Sequence, residues 1–266
     1  MEDDDAGVEL VVIGGGNMGA ALLGGLLDSG AFEAAALAVI EVADARRDQL
    51  SSLFPAVRVE AEVPRCAGAV LAVKPGDVPD AAATAASAGA RRVLSIAAGV
   101  RLATIEAAVG PAVAVVRAMP NTPALVRLGA CAIAAGAAAD TDDVAWARSI
   151  LEAVGTVDEV DEASLDAFTG VAGSGPAYVF LLAESLIDAA VEEGLDREMA
   201  ERVVPQLLLG SATLLERDGD PTRLREMVTS PNGTTAAGLA ALDERDLRGA
   251  IAAAVRAATS RSRELG

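Results

Sequence analysis

The sequence predicts an α/β fold, with a parallel sheet domain over residues 1–160 and an all-helical domain over residues 161–266. Three observations predict it. Short apolar runs alternate with helical patterns from Val8 to about Val160, which is typical of a parallel sheet covered on both faces. After Asp161 only helical patterns follow. A glycine-rich turn comes directly after the first apolar run.

The individual elements follow from the apolar runs and from the helical spacing between them. In the first domain we expect strands at residues 8–13, 37–40, 57–59 (a short strand or a loop), 69–73, 93–96, 113–117, 131–134 and 156–160. We expect helices between them at residues 20–27, 43–53, 78–88, 102–109 and 142–153. In the second domain we expect helices at residues 164–169, 175–193, 197–216, 221–228 and 235–263, the last in one or two pieces.

The first strand is followed by Gly-Gly-Gly-Asn-Met-Gly at positions 14–19 and then by small residues at helical spacing. A strand, a tight turn with glycines at its first, third and sixth positions, and a helix form the fingerprint of a Rossmann-type dinucleotide site. Gly14 allows the sharp turn, Gly16 lets the backbone approach a pyrophosphate, and Gly19 lets the helix lie close to the strand. The alternative is a glycine-rich turn without a ligand.

The composition limits the classes of partner. The formal net charge of −18 argues against nucleic acid and anionic membranes, since both are polyanions. Four of the first seven residues are acidic, whereas a signal peptide begins with basic residues. No apolar run approaches the roughly 20 residues of a membrane span. We therefore expect a soluble, cytoplasmic protein. A high-salt cytoplasm would explain the acidity, because salt screens the self-repulsion.

The histidine and cysteine content argues against metal sites and against several classes of catalysis. The chain contains no histidine, which excludes a Ser-His triad, His-based proton transfer and a His-ligated metal. The two cysteines, Cys66 and Cys131, have no paired spacing, so we expect neither a metal site nor a disulfide framework. We interpret both as small core residues.

Glu41 is a candidate for binding the adenosine ribose. It follows the second strand, about 20 residues beyond the glycines, where an acidic side chain accepts a hydrogen bond from the 2′-hydroxyl. Because a carboxylate repels a 2′-phosphate, Glu41 favours NADH. Arg46 and Arg47 are near enough in sequence to bind that phosphate, although a solvated helix face is the slightly preferred interpretation of both. The choice between the cofactors stays open, with NADH favoured.

Three further loops follow strands and should line the same crevice, since ligands of open parallel sheets bind beyond the carboxyl ends of the strands. They contain residues 72–75, 96–99 and 119–123. Lys74, the only lysine in the chain, can bind a ribose hydroxyl or a phosphate, or can be an ordinary loop lysine. Asn121, flanked by prolines, can contact the cofactor or brace a loop.

Two motifs mark the helical domain. The run Thr-Ser-Pro-Asn-Gly-Thr-Thr at residues 229–235 lies directly before a helix, where hydroxyls and backbone N–H groups can receive a carboxylate. The glycine-rich run at residues 170–178 leads into the first turn of a long helix and allows close packing against the first domain. The segment 177–191 is apolar on nearly all sides and must be buried, either in its own bundle or against another subunit. So much apolar surface favours an intertwined homodimer.

Taken together and in this order, the runs IGGGNMG, LAVKPGDV, SIAAGV, RAMPNTPALV, TGVAGSGPAYVF and VTSPNGTTAAGL resemble the pyrroline-5-carboxylate reductase family. They extend from Ile13 to Leu239, nearly the whole chain. The resemblance implies a Rossmann domain followed by a helical dimerisation domain, and dimers that can associate into larger rings. It also implies reduction of the C=N bond of 1-pyrroline-5-carboxylate to L-proline by NADPH or NADH, the last step of proline biosynthesis.

The resemblance assigns site residues by position. Those implied to contact the cofactor are Ile13, Gly14, Gly15, Gly16, Asn17, Met18, Ala72, Val73, Lys74, Pro75, Ile96, Ala97 and Ala98; Gly19, Glu41 and Asn121 complete the candidate set. Those implied to receive the substrate carboxylate and ring are Ser230, Gly233, Thr234 and Thr235. Thr235 is the candidate to hydrogen-bond the ring nitrogen, directly or through water.

One departure and two alternatives accompany this interpretation. Family members that use NADPH often carry an Asn/Thr-Arg-Ser-like segment after the second strand, where this chain has Glu41-Val42-Ala43, so their preference is in doubt here.

A related imine or β-hydroxyacid reductase is one alternative, but a β-hydroxyacid enzyme needs a lysine early in the long helix, and residues 177–193 contain none. A non-catalytic dinucleotide-binding regulator is the other, but it has no need for the carboxylate site. A protonated imine is already electrophilic, so this reduction does not require a histidine acid.

Overall fold

The computed structural model describes residues 7–266, which form two compact units. The first contains the residues up to Ser174 together with Arg256–Gly266, and the second contains Gly175–Val255. This division reflects which residues contact each other within the chain. The boundary at residues 160 and 161 separates a dinucleotide-binding domain from a substrate and dimerisation domain, and it stays a prediction. Residues 1–6 lie outside the described residues. They include the acidic side chains on which the expectation about a signal peptide is based.

The first unit is built on one sheet of eight strands within the described residues. The strands are β1 Val8–Ile13, β2 Leu37–Ile40, β3 Arg58–Glu60, β4 Cys66–Leu71, β5 Arg92–Ser95, β6 Ala114–Met119, β7 Gly129–Ala135 and β8 Gly155–Glu159. Their order across the sheet is β3-β2-β1-β4-β5-β6-β7-β8. The chain runs outward from β1 through β2 to β3 and then returns to β4 on the other side of β1. In open α/β sheets ligands bind at such a reversal, beyond the carboxyl ends of the strands, which here are those of β1 and β4.

The sheet is parallel from β3 to β6, but β7 runs antiparallel to β6 and β8 is parallel to β7. The expectation of a wholly parallel sheet is therefore wrong at this edge. β6 ends at Met119 and β7 begins at Gly129, with a short 3₁₀ helix at Thr122–Val126 between them. A parallel pair needs a crossover of about a dozen residues or more, which this link does not provide.

The predicted helices are present, with ends that differ from the predicted ones by at most three residues. Those of the first unit are α1 Asn17–Ser29, α2 Asp44–Leu53, α3 Val78–Ser87, α4 Leu102–Val109, α5 Thr141–Glu152 and α6 Ser164–Phe168. A π-helical turn, Thr169–Gly173, follows α6. The helices after it are α7 Gly175–Glu192, α8 Arg197–Asp218, α9 Pro221–Met227, α10 Thr234–Glu244 and α11 Leu247–Leu265.

Apolar side chains cover both faces of the sheet, as the sequence predicts. On one face α3, α4 and α6 pack with Val78, Ile105 and Leu165. On the other face α1, α2 and α5 pack with side chains that include Leu22, Leu50 and Ile150. Cys66 and Cys131 lie one on each face, buried and unpaired, which confirms them as small core residues.

The second unit is helical throughout its length and leaves much apolar surface uncovered. α7 packs against α8, and α8 against α9. Even so, no side chain of α7 is fully buried within the single chain. Phe180 and Leu181 on α7 are 61% and 62% exposed, and Leu209 on α8 is 57% exposed. The bundle of one chain therefore does not bury this helix, and a partner surface is needed.

One helical stretch, Ser164–Glu192, is long and apolar enough to cross a membrane by length and composition, with a mean hydropathy of 1.3. Among residues 7–266 no other stretch meets both criteria. This corrects the expectation that no apolar segment reaches such a length. The glycine-rich residues after position 169 form a π-helical turn rather than a break, so the apolar segments on both sides join into one helix. A helix that packs against a second subunit has the same composition.

Candidate functional site

The turn between β1 and α1 has the shape that a dinucleotide requires. Gly14 has a φ of +107°, and a methyl group there would overlap the carbonyl group of Ala72. A methyl group at Gly19 would overlap the carbonyl oxygen of Gly14, so α1 lies directly against the end of β1. At Gly16 a methyl group would meet nothing within 4 Å. The turn is therefore closed on the protein side and open where a phosphate is expected.

The first turn of α1 has the features of an anion-binding helix N-terminus. Its N-cap, Gly16, has no side chain to accept hydrogen bonds from the first amides, and the first turn contains no acidic residue. Gly16 and Asn17 are exposed. Unpaired amides and the positive end of the helix dipole attract phosphate oxygens. The residues present thus fit the pyrophosphate of NADH or NADPH.

Glu41 lies beside this turn, at the end of β2. Its Oε1 accepts a hydrogen bond from the amide of Ala43 at 3.0 Å. Its Oε2 would lie 3.3 Å from a methyl group added at Gly15. The carboxylate is therefore fixed next to the glycine turn, where the sequence predicts an adenosine ribose.

Arg46 and Arg47 also face this region, which corrects the slight preference for a solvated helix face. Arg46 donates from Nε to the carbonyl of Gly15 at 2.7 Å. Arg47 donates from Nη1 to the carbonyls of Glu41 and Val42 at 2.8 and 2.9 Å, and it also forms an ion pair with Asp44. Both guanidinium groups donate hydrogen bonds to carbonyls that follow β1 and β2. These bonds explain why the two side chains point from the start of α2 toward the glycine turn and the end of β2.

The remaining candidate cofactor segments meet at the same edge of the sheet. β1, β4 and β5 are parallel neighbours, so the loops that follow them lie side by side. The amide of Ala72 donates to the carbonyl of Ile13 at 2.8 Å, and the amide of Ile96 donates to that of Leu71 at 3.1 Å. The structure thus brings segments 13–18, 72–75 and 96–98 together. Lys74 is exposed at the same edge.

Asn121 braces its loop. Its Nδ2 donates to the carbonyl of Ala172 at 3.1 Å, and its Oδ1 accepts from the amide of Ala130 at 2.9 Å. The side chain is buried, with 9% of the residue exposed. Of the two roles that the sequence leaves open, bracing therefore accounts for both ends of the amide, and a contact with the cofactor is not needed to explain it.

The candidate substrate residues lie together at the start of α10, in the second unit. The N-cap is Gly233, whose amide donates to the carbonyl of Ser230 at 3.0 Å. A methyl group at Gly233 would overlap Oγ of Ser230, and Asn232 adopts a left-handed φ of +58°. The tight turn brings the Ser230 hydroxyl next to the first amides of α10, which have no side-chain cap. Thr234 and Thr235 follow directly, so hydroxyl-bearing residues and free amides lie together at one helix N-terminus, where a carboxylate can bind.

Several buried polar residues escape sequence reasoning. Arg117 on β6 is 4% exposed and forms an ion pair with Glu162 at 2.8 Å. Asp166 on α6 is 3% exposed and pairs with Arg101 at 3.1 Å. The partners are 45 and 65 positions apart, so no local spacing links them. They anchor the loop around Arg101, which follows the candidate cofactor segment 96–98.

Other chemistry finds little support in the described residues. Burial raises the pKa of the Cys66 thiol to about 11 and that of Cys131 to about 12, so neither is a nucleophile at neutral pH. Among residues 7–266 no group of three or more His, Cys, Asp or Glu side chains is arranged to hold a metal ion.

Two family models match the chain. The model described as pyrroline-5-carboxylate reductase dimerisation matches residues 162–265, which include the threonine-rich turn. The model described as NADP oxidoreductase, coenzyme F420-dependent, matches residues 9–99, from β1 through the loop after β5. The first model therefore covers the helical region, and the second covers the first five strands of the sheet.

Full-length relatives agree with these matches. A pyrroline-5-carboxylate reductase from Synechocystis is 44% identical over 97% of this chain and 98% of its own length. A solved pyrroline-5-carboxylate reductase from Coxiella burnetii is 33% identical, with a TM-score of 0.90 over 98% of this chain and 99% of the other. The Plasmodium falciparum enzyme, solved with NADP bound, is 29% identical, with a TM-score of 0.85 over 97% and 98%. The chain therefore belongs to the pyrroline-5-carboxylate reductase family.

Proposed function

We propose that this protein reduces the C=N bond of 1-pyrroline-5-carboxylate to give L-proline, with the glycine turn holding NADH or NADPH and the start of α10 holding the substrate carboxylate. Family membership over the full length supports the reaction and its place as the last step of proline biosynthesis. The observation that carries the assignment is a pair of glycine-capped helices, α1 and α10, each at a predicted ligand site. Both helices offer free amides to anions, one to a pyrophosphate and one to a carboxylate.

The protein's contribution to the reaction is mainly orientation. The cofactor supplies the hydride, and a protonated imine accepts it at carbon, which leaves the neutral amine of proline. Segments 13–18, 72–75 and 96–98 would hold the dinucleotide at the edge of the sheet. Ser230, Gly233 and Thr234 would hold the carboxylate, and Thr235 would hydrogen-bond the ring nitrogen, directly or through water. Holding both reactants in place removes much of the entropic cost of bringing them together.

The arrangement around Glu41 supports NADH as the preferred cofactor. Its carboxylate is fixed beside Gly15, where it would accept from a ribose 2′-hydroxyl and repel a 2′-phosphate. Arg46 and Arg47 already donate to backbone carbonyls, so binding a 2′-phosphate would require them to give up those bonds. Comparison of kcat/KM with NADH and NADPH tests the preference. Replacing Glu41 by Ser should raise kcat/KM with NADPH by about fivefold, as expected for one exposed like-charge repulsion removed. Equal turnover of the wild type with both cofactors would contradict the preference.

The activity is tested by following oxidation of NADH at 340 nm as 1-pyrroline-5-carboxylate is added. Thr235→Ala should lower kcat by about 10- to 100-fold while the Kd for NADH changes by less than about twofold. Thr235→Ser, which keeps the hydroxyl, should restore much of the turnover. Thr213→Ala is the matched control, because the Thr213 hydroxyl donates within α8, to the carbonyl of Leu209. Unchanged kcat in Thr235→Ala would remove Thr235 from the mechanism.

Self-association follows from the uncovered face of α7 and from the dimerisation model that matches this region. A homodimer, able to associate into larger rings, is the proposed assembly, and the cytoplasm is the proposed location. Phe180→Glu should shift the protein toward monomer in light scattering after gel filtration, because a buried charge at an apolar interface is costly. Arg202→Ala, in an exposed pair on α8, is the control that should leave the mass unchanged. A Phe180→Glu variant with the wild-type mass would count against this surface as the interface.

A further inference from the structure

The end of α11 belongs to the sheet unit rather than to the helical one. Residues Arg256–Gly266 group with the residues up to Ser174. Thr259 and Ser262, one turn apart, are 9% and 7% exposed, whereas most neighbouring positions of this helix are exposed. Polar side chains are seldom buried without a partner, so the partner of Ser262 is informative.

Ser262 donates from Oγ to Oδ1 of Asp166 at 2.7 Å. The other carboxylate oxygen of Asp166 accepts from Nη2 of Arg101 at 3.1 Å. Asp166 is only 3% exposed, so both of its oxygens depend on these protein donors. One buried carboxylate thus ties the end of α11 to the residue that precedes α4.

The last residues of α11 also lie against the loop that leads to Arg101. Gly99 in this loop has a φ of +78°, and a methyl group there would lie 3.2 Å from Cβ and 3.4 Å from the carbonyl oxygen of Leu265. A methyl group at Gly266 would lie 2.8 Å from the carbonyl oxygen of Gly99. The Leu265 side chain is itself 60% exposed, so the backing comes from its backbone and Cβ.

The loop is held at its two ends as well. The amide of Ile96 donates to the carbonyl of Leu71 on the neighbouring strand at 3.1 Å. The amide of Leu102, at the start of α4, donates to Oε1 of Glu162 at 2.7 Å. Within residues 96–98 only Ala98 is exposed. The backbone of the loop is therefore held at both ends, and the end of α11 contacts it in between, at Gly99.

We propose that the last turn of α11 positions the loop 96–101 for the nicotinamide cofactor, with Ser262 and Leu265 as positioning residues. The proposal rests on the proposed function, which assigns residues 96–98 to the cofactor. Ser262 acts through Asp166 and Arg101, and Leu265 acts by backing Gly99. Loss of either contact should weaken cofactor binding, because the loop then has more conformations to lose when the cofactor binds.

The test compares the full-length protein with two variants, one for each contact. One variant is Ser262→Ala, and the other ends at Glu264 and so lacks Leu265 and Gly266. Each should raise the Kd for NADH by about three- to tenfold, as expected when one hydrogen bond or one packing contact that orders the loop is lost. The KM for 1-pyrroline-5-carboxylate should change by less than about twofold. Arg261→Ala, an exposed position on the same turn, is the control and should keep the wild-type Kd.

Hydrogen exchange on the wild type provides a measurement that needs no variant. Addition of NADH should slow amide exchange both in residues 96–102 and in residues 258–266. Unchanged exchange in the C-terminal peptide would overturn the proposal, as would a wild-type Kd for NADH in both altered proteins. Equal increases in the Kd for NADH and the KM for substrate would indicate general destabilisation and would also overturn it. Failure of the proposed function is distinguishable, because wild-type protein would then not oxidise NADH or NADPH in the presence of the imine.

Discussion

Removing the carboxylate of Glu162 should destabilise the sheet unit by about 3 kcal/mol, because it leaves Arg117 buried and charged without its partner. Arg117 is 4% exposed, and its Nη1 donates to Oε1 of Glu162 at 2.8 Å. The same oxygen accepts from the amide of Leu102 at 2.7 Å. Glu162→Ala therefore removes the partner of a buried cation and the acceptor of the first amide of α4 at once.

The magnitude follows from the exposure of the two partners. Breaking a buried ion pair costs about 3–5 kcal/mol, and the lower end applies because the Glu162 side chain is 29% exposed and water reaches it. Glu162→Gln keeps an acceptor for Leu102 and loses only the charge, so we expect about 1–2 kcal/mol. In a protein of this size, 3 kcal/mol corresponds to a decrease in Tm of roughly 6–12 °C.

Thermal and urea denaturation of four proteins would measure this coupling. They are the wild type, Glu162→Ala, Arg117→Met and the double variant. The double variant should be more stable than the sum of the single changes predicts, by about 1 kcal/mol or more, since it removes the stranded charge as well. Glu159→Gln, in a long and exposed pair, is the control and should cost less than about 0.5 kcal/mol. Additivity of the two single changes within about 0.5 kcal/mol would refute the reasoning.

Three further outcomes follow. Cys66 and Cys131 should not react with a thiol reagent at pH 8 before unfolding, since burial raises their pKa values to about 11 and 12; rapid reaction of the native protein would contradict this. The backbone φ of Asn232 is +58°, a conformation that glycine adopts freely and valine does not. Asn232→Gly should therefore keep activity, whereas Asn232→Val should raise the KM for the imine. Equal KM values would argue against a strained turn. The net charge of −18 predicts a Tm that rises between low and molar KCl, and a flat Tm would contradict a high-salt origin.

The parts of the fold that local pattern decides could be predicted from the sequence. The glycine spacing at 14–19 predicts the strand, turn and helix, and the structure shows why Gly14 and Gly19 cannot carry side chains. The length of the link also indicates that β7 runs antiparallel to β6, because the residues between Met119 and Gly129 are too few for a crossover. The apolar run at 131–134 does not itself reveal its direction.

Contacts between distant parts of the chain could not be predicted in this way. Arg117 and Glu162 are 45 residues apart, and Ser262 and Asp166 are 96 residues apart, so neither pairing leaves a local pattern. The sequence identified Asn121 as a rigid amide but left two roles open, because the partner at Ala172 becomes a neighbour only in the folded unit. The same holds for Arg46, whose hydrogen bond to Gly15 spans 31 residues.

The N-caps of three other helices differ from those of the two helices that are proposed to bind anions. α5, α8 and α9 begin after Asp140, Asp196 and Asp220, whose carboxylates accept hydrogen bonds from the first amides of each helix. α1 and α10 begin after Gly16 and Gly233, which leave those amides without a side-chain partner. An aspartate at position 16 or 233 would satisfy the amides, but its charge would stand where a pyrophosphate or a carboxylate is proposed to bind. Glycine at these two caps thus gives up a stabilising hydrogen bond and keeps the helix end available for an anion.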